Sequence, residues 1–206
     1  QVAKWIFMIN LPIFILIFIF PSMALGILFG DQYLISANAL RILSIGLFIT
    51  TIIPTLSYHL LLMKGKSRVI LFNTCLVIVI NTILNYLLIP MKQIGFIDNE
   101  LGINGAAIAT AISIIISSFL LIFEVRYYMS IVPARRKMFR ILIVALVSSA
   151  LLVYLKQFFT INIISFFVLS LFFLLSYILL LMLFGCLDSN DKIILNTIKS
   201  KIFKKK

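Results

Sequence analysis

The chain has 206 residues, 63% of them hydrophobic, with a mean hydropathy of +1.22 and a formal net charge of +12. A soluble domain is about half apolar and cannot hide this excess in a core of that size, so the composition indicates a membrane protein. The Lys and Arg residues stand beside apolar runs rather than on a soluble basic face, which argues against a nucleic-acid partner.

Six apolar runs are long enough to cross a hydrocarbon core of about 30 Å as helices, which takes about 20 residues each. An alternating strand pattern is absent from the sequence, so the predicted fold is an all-α polytopic transmembrane helix bundle. The predicted spans cover residues 5–29, 40–63, 69–89, 104–123, 139–155 and 162–187, and a basic tail covers residues 188–206. This tail is predicted to be either a short helix on anionic lipid or a solvated end.

The distribution of positive charge tests this division independently, because cytoplasmic loops of membrane proteins carry an excess of Lys and Arg. Of the 18 Lys and Arg residues, only Arg41, Lys92 and Lys156 fall on one side of the six-span arrangement. The other side is therefore predicted to be cytoplasmic, with both ends of the segment and the tail on it. We expect a multi-pass protein of the cytoplasmic (inner) membrane, surrounded by membrane lipids.

Prolines predict where several spans bend or stop. Pro12 and Pro21 predict bends in the first span, and Pro54 predicts a kink in the second. Pro90 ends the third span, because it lacks a backbone N–H and biases the preceding residue away from helix. Asn104 is the predicted N-cap of the returning fourth span.

Small residues recur every four positions along the fourth span. This pattern predicts a ridge that lets two helix backbones approach each other closely. The ridge consists of Gly105, Ala109, Ser113 and Ser117.

The third span carries a stripe of polar side chains within about half a turn of the helix. Asparagine in hydrocarbon costs free energy unless it has a hydrogen-bond partner, so the stripe is expected to face other helices or a wet cavity. Both interpretations stay open: hydrogen bonds between helices, or contact with a transported substrate. The substrate-path candidates are Asn73, Asn81 and Asn85, together with His59, which is either a proton sensor or a packed residue, and Arg41.

Residue patterns typical of enzymes and metal sites are missing from the sequence. There is one His, no metalloprotease, nucleophile-elbow or P-loop motif, and the six acidic residues fall in loops or at span ends. Cys75 and Cys186 stand alone in apolar runs, where packing is the expected role. We therefore expect neither a catalytic residue, nor a metal site, nor a cofactor.

Three segments, in this order along the chain, together resemble one family. They are "ILFGDQYLISANALRILSIG", "LLLMKGKSRVILFN" and "NYLLIP…GINGAAIATAIS", which cover residues 27–113 with gaps. They are similar to the Leu-Phe-Gly-x-x-Tyr…Leu-Arg-Ile-Leu, Gly-Lys-x-(Lys/Arg) and Asn-x-x-Leu-Ile-Pro…Gly-Ala-Ala-Ile-Ala-Thr segments of polysaccharide and O-antigen flippases. The loop before Gly102 is longer than the family's short linker, which departs from the pattern.

This resemblance implies a transporter of twelve to fourteen helices in two lobes, of which the chain would be the C-terminal portion. The N-terminal remainder would then be missing from this sequence. The implied activity is the flipping of a lipid-linked oligosaccharide (an undecaprenyl-diphosphate-linked glycan) from the inner to the outer leaflet. Two rival functions remain: a drug/cation antiporter of the same superfamily, which needs intramembrane acids, and an integral-membrane glycan-modifying enzyme.

Overall fold

The computed structural model of the chain describes residues 2–90, 102–129, 136–159 and 162–185. Within these ranges the chain is almost wholly helical and has no β-strand, so the predicted all-α fold is confirmed. The predicted loop between the third and fourth spans and the basic tail 188–206 lie outside the described residues.

Seven α-helices and one 3₁₀ turn make up the described part of the chain. Five helical segments are long and apolar enough to cross a membrane, or six if the bent pair α1–α2 counts as one span. These are the helices of a multi-pass membrane protein. The helices are α1 (Val2–Ile19), α2 (Pro21–Phe29), α3 (Ala37–Met63), α4 (Ser67–Leu88), α5 (Gly102–Met129), α6 (Arg136–Lys156) and α7 (Ile163–Leu183), and the 3₁₀ turn covers Asp31–Ser36.

The helices belong to two compact units, Gln1–Arg135 and Arg136–Lys206. In the first unit α5 packs against both α3 and α4, and α1 packs against α3. In the second unit α6 contacts α7. Buried apolar side chains recur every four positions along α7, at Leu169, Phe173, Tyr177 and Leu181, which is the spacing of one helix face.

The predicted first span, 5–29, differs from a single helix. It is broken at Phe20, where φ is −123° and ψ is 51°, and α2 leaves α1 at an angle of 92°. Pro21 has no backbone N–H to donate, and it biases the backbone of Phe20 away from the helical conformation. Both effects favour a break of the helix at Phe20. Pro12, by contrast, lies inside α1.

The turn between α3 and α4 is fixed to the end of α5 by two lysines. Lys64 donates a hydrogen bond from Nζ to the carbonyl of Tyr128, and Nζ of Lys66 lies 4.8 Å from the centre of the Tyr128 ring. Gly65 has a φ of 71°, a conformation that side-chain-bearing residues rarely adopt. The carbonyls at the last turn of a helix lack partners within the helix, so Lys64 satisfies one of them.

The small-residue ridge of α5 is buried along its first three members. Gly105, Ala109 and Ser113 are buried, and Ser117 is half-buried. Gly105 lies so close to α4 that a Cβ placed on it would be 2.6 Å from the carbonyl oxygen of Leu88. The helix begins at Gly102, so Asn104 lies inside its first turn and not at the predicted N-cap.

A second close approach joins α5 to α3. A Cβ on Gly46 would lie 3.0 Å from Cα of Ala111, on a different face of α5 from the ridge. Small residues therefore set the spacing of α5 from both of its neighbours, as they commonly do between membrane helices.

Candidate functional site

Asn73, the first of the α4 asparagines, is bonded to α5. Its side chain is 4% exposed, and Nδ2 donates to Oε2 of Glu124 at 2.7 Å. Glu124 lies five residues before the end of α5, near the end of the candidate span Gly102–Met129, in agreement with the position that the sequence suggested. The pair therefore links the first turns of α4 to the last turns of α5.

The two remaining asparagines of the α4 stripe interact with each other and with α5. Nδ2 of Asn85 donates to Oδ1 of Asn81 at 2.8 Å, and Nδ2 of Asn81 makes a long contact of 3.5 Å with the hydroxyl of Thr110. Oδ1 of Asn85 is buried without a hydrogen-bond partner. These side chains face a helix contact, and none of the three α4 asparagines lines the pockets described below.

The side chain of Arg41, which belongs to α3, lies at the break between α1 and α2. Its Nε donates to the carbonyl of Phe18 at 3.1 Å, and its guanidinium carbon is 5.7 Å from the centre of the Phe18 ring. In an unbroken helix the carbonyl of Phe18 would accept from the N–H four residues further along the chain. A carbonyl this close to a helix end lacks that donor. Arg41 therefore satisfies a backbone group that the break exposes, and its positive charge favours the negative end of α1.

His59 is exposed near the end of α3. It lies four residues before Met63, and its ring meets that of Tyr58 edge-on, with 5.5 Å between ring centres. Tyr58 and not His59 lines the nearby pocket. Of the sequence-predicted candidates, only Ser117, nominated for helix packing, contributes to that pocket.

Two open pockets follow one side of α3 and meet at Leu47, which lines both. One, of about 340 Å³, lies between α3, α4 and α5. The other, of about 150 Å³, lies between α1 and α3. We call the pair the α3 groove; its polar lining residues are Asn10, Ser44, Thr50, Thr51, Thr55, Tyr58, Ser117 and Ser118. From Ser44 to Tyr58 the groove follows α3 for about 21 Å, most of the thickness of a hydrocarbon core.

The groove offers both hydrogen-bond acceptors and donors. Most of the Ser and Thr hydroxyls along it donate to carbonyls of their own helix, which leaves their oxygen lone pairs as acceptors. The side chains of Asn10, Tyr58 and Ser117 have no hydrogen-bond partner among the described residues. The side-chain N–H and O–H groups of these three residues are therefore available as donors. A ligand with many hydroxyl groups matches this mixture.

Pro54 shapes the middle of the groove. Because Pro54 has no N–H, the carbonyl of Thr50 loses its helical partner. The hydroxyl of Thr55 donates to that carbonyl at 2.9 Å and so replaces the missing bond. The sequence predicted a kink at this position; α3 continues through Pro54 as one helix from Ala37 to Met63, and a neighbouring Thr satisfies the freed backbone carbonyl.

Sequence reasoning missed the α3 groove because its lining residues come from helices far apart along the chain. Asn10 stood alone in an apolar run, and the Ser and Thr residues of α3 and α5 are common in membrane helices. The signal that was present is the spacing of Ser44, Thr51, Thr55 and Tyr58, which places them along one side of α3.

The described residues contain no group of three or more His, Cys, Asp or Glu side chains that could hold a metal ion. Comparison with known proteins found no matching family model, no curated relative and no similar solved structure.

Proposed function

We propose that this chain is the C-terminal portion of a flippase that moves a lipid-linked oligosaccharide across the cytoplasmic membrane for polysaccharide, O-antigen or lipopolysaccharide synthesis. The observation that carries the proposal is the α3 groove, a largely apolar groove about 21 Å long that carries Asn, Ser, Thr and Tyr side chains along α3. Polar groups inside membrane helices are costly, and they commonly mark substrate pathways. The resemblance of residues 27–113 to polysaccharide flippases supports the same function.

The groove suits a glycan that crosses the membrane while its lipid anchor stays in the bilayer. Sugar hydroxyls leave water on entry, and each unpaired polar group would cost several kcal/mol in hydrocarbon. Donors on Tyr58, Ser117 and Asn10, with the acceptor oxygens along α3, replace those lost bonds. Since the groove is open along its side, the lipid tail is not forced to enter it.

The diphosphate of the substrate needs positive charge that the groove itself does not supply. Arg41 is engaged at the α1–α2 break, and Lys4 is buried. We therefore assign diphosphate binding to the N-terminal remainder of the transporter. The excess of Lys and Arg on one side of the six spans supports a cytoplasmic location for both ends of this segment and for the 188–206 tail.

The decisive experiment removes the groove's free hydroxyl donors without changing its shape. In the full-length transporter, the double variant Tyr58→Phe/Ser117→Ala deletes two hydroxyl groups. Each lost hydrogen bond is worth about 0.5–1.5 kcal/mol, so export at limiting substrate should fall roughly tenfold. Surface glycan per unit of accumulated protein is the measurement.

A matched control removes the same two groups elsewhere. Tyr86 is 82% exposed on α4, and the hydroxyl of Ser149 bonds the carbonyl of Leu146 on its own helix; neither lines the groove. Tyr86→Phe/Ser149→Ala should leave export per protein unchanged. If the groove variant exports as well as this control, the groove does not carry the glycan.

One observation favours the rival function of a drug/cation antiporter. Glu124 is an acidic side chain inside a candidate span, hydrogen-bonded to Asn73, and such residues often bind the coupling ion. Glu124→Gln keeps the shape of the side chain and removes its charge. Loss of cation-driven drug efflux with intact glycan export would favour the antiporter; the flippase proposal expects no drug efflux to be present.

A further inference from the structure

The segment 21–36, consisting of α2 and the 3₁₀ turn, is not needed to cross the membrane. Helix α1 alone has 18 residues and a length of about 27 Å, close to the thickness of a hydrocarbon core. The next candidate span is Asp31–Thr51, but α3 by itself has 27 residues and a length of about 40 Å, so it can cross without residues 31–36. Residues 21–36, between the two crossings, can therefore lie outside the membrane-spanning part of the chain.

The angle between α1 and α2 indicates how residues 21–36 are oriented relative to the membrane. Helix α2 leaves α1 at 92°, and membrane helices are tilted on average by only about 20° from the bilayer normal. With α1 across the membrane, α2 lies close to the membrane plane. Arg41 fixes this corner through its bond to the Phe18 carbonyl, and a charged guanidinium there fits the level of the lipid headgroups.

The segment folds back on itself into a compact hairpin. Gly30 has a φ of 95°, which favours glycine, and its carbonyl accepts from the N–H of Tyr33 at 3.2 Å. A Cβ on Gly26 would lie in ordinary contact, 3.7 Å from a side-chain carbon of Leu34. The rings of Phe29 and Tyr33 lie 5.8 Å apart, so the two arms of the hairpin also meet through side chains.

The hairpin presents an apolar surface with almost no charge. Its large exposed side chains are Ile27, Leu28, Phe29, Tyr33, Leu34 and Ile35; Leu28 is 74% exposed and Ile35 is 81% exposed. Pro21 and Leu25 are buried on its inner side. The only charged residue in the segment 21–36 is Asp31. This composition fits the boundary between headgroups and acyl chains, where Tyr and Phe are also favoured.

We propose that residues 21–36 form an interfacial hairpin that lies in the membrane plane, with its apolar side chains against lipid at the boundary of headgroups and acyl chains. Its affinity for that boundary comes from apolar burial alone, because the hairpin carries no positive charge to attract anionic lipid. The inference does not depend on the transported substrate.

The depth of single tryptophans in the intact protein tests the proposal. In vesicles, with the other tryptophans (Trp5 among them) replaced by Phe, Trp is introduced by Phe29→Trp or by Ile35→Trp. Quenching is compared between lipids labelled near the headgroup and lipids labelled deep in the acyl chain. Ile78→Trp serves as the deep reference, because Ile78 is 60% exposed in the middle of α4.

The hairpin predicts that Trp at 29 and at 35 report the same shallow depth, about 5–10 Å into the interface, while Trp at 78 reports the deep label. The depths should not change when anionic lipid replaces neutral lipid. A third variant, Ser22→Trp, separates the two arrangements, because Ser22 is exposed at the start of α2. In the hairpin, Trp at 22 and Trp at 29 report the same depth, whereas they differ by about 10 Å if α2 continues across the bilayer.

Three outcomes overturn the proposal: a depth difference of about 10 Å between positions 22 and 29, quenching at none of the hairpin positions by any lipid, and insertion that requires anionic lipid. Thermal unfolding of each variant verifies that it is folded. If Phe29→Trp does not fold, Leu28→Trp measures the depth of the same surface of the hairpin.

Discussion

The close approach of Gly105 to α4 gives a quantitative prediction for Gly105→Ala. An alanine Cβ at this position would lie 2.6 Å from the carbonyl oxygen of Leu88, 2.9 Å from its carbonyl carbon and 3.2 Å from the nitrogen of Ile89. All three are backbone atoms at the C-terminal end of α4 and its cap, so no side-chain rotation relieves the clash. Helices α4 and α5 must separate, by several tenths of an ångström, for the methyl group to fit.

The expected cost follows from two opposing effects. Overpacking of this kind destabilises by about 1–3 kcal/mol. Alanine is better than glycine inside a helix by about 0.5–1 kcal/mol, which offsets part of that cost. The net loss in free energy of unfolding should therefore lie between about 0 and 2.5 kcal/mol, and its midpoint, about 1.3 kcal/mol, is roughly a tenfold shift in the unfolding equilibrium.

Gly102→Ala is the matched control on the same helix. A Cβ on Gly102 has nothing within 4 Å, so the same substitution there tests helix propensity without the clash. It should be neutral or slightly stabilising. Unfolding of both variants in mixed micelles, followed by circular dichroism, measures the difference. If Gly105→Ala is as stable as Gly102→Ala, the close approach of α5 to α4 is refuted.

Three further predictions test the helix break, the buried amide and the topology. Arg41→Gln should lower the thermal unfolding temperature, because the carbonyl at the break loses a bond worth about 1 kcal/mol; an unchanged temperature would contradict this role. Asn73→Leu and Glu124→Leu should be non-additive by about 0.6–2 kcal/mol in a double-mutant cycle of unfolding, whereas independent residues would give additive losses. Cysteines placed at Ser67 and at Asn99 should react with impermeant reagents from opposite sides of the membrane, and labelling from one side would eliminate the six-span topology.

Hydropathy was enough to predict the fold class and the approximate extent of most helices. The predicted spans 69–89 and 139–155 lie within two to three residues of α4 (Ser67–Leu88) and α6 (Arg136–Lys156). This agreement has a physical cause: without water in the bilayer, each backbone N–H and C=O must be bonded within the segment, so a long apolar run has little choice but to be helical. Helix formation in lipid is therefore a local property that the sequence alone determines.

The break of the first span shows where local reasoning fails. Pro21 predicted a bend, but prolines also occur inside unbroken membrane helices, as Pro12 does inside α1. The 92° turn accompanies contacts from α3, where Arg41 bonds the freed carbonyl of Phe18. A residue 23 positions away along the chain satisfies the break, and no local pattern contains that information.

The roles of the polar side chains also depended on the tertiary structure. Periodicity placed the α4 asparagines on one face but left their partners open, and the partners are Glu124 and Thr110 on α5. The α3 groove combines Asn10 of α1 with residues of α3 and α5, and its shape depends on how closely Gly46 meets Ala111. In lipid, apolar surfaces gain little by choosing one helix over another, so packing of small residues and a few hydrogen bonds decide which faces meet. The sequence therefore determined which segments are helices, and only the tertiary structure decided which of their polar groups bond to each other and which remain open to a ligand.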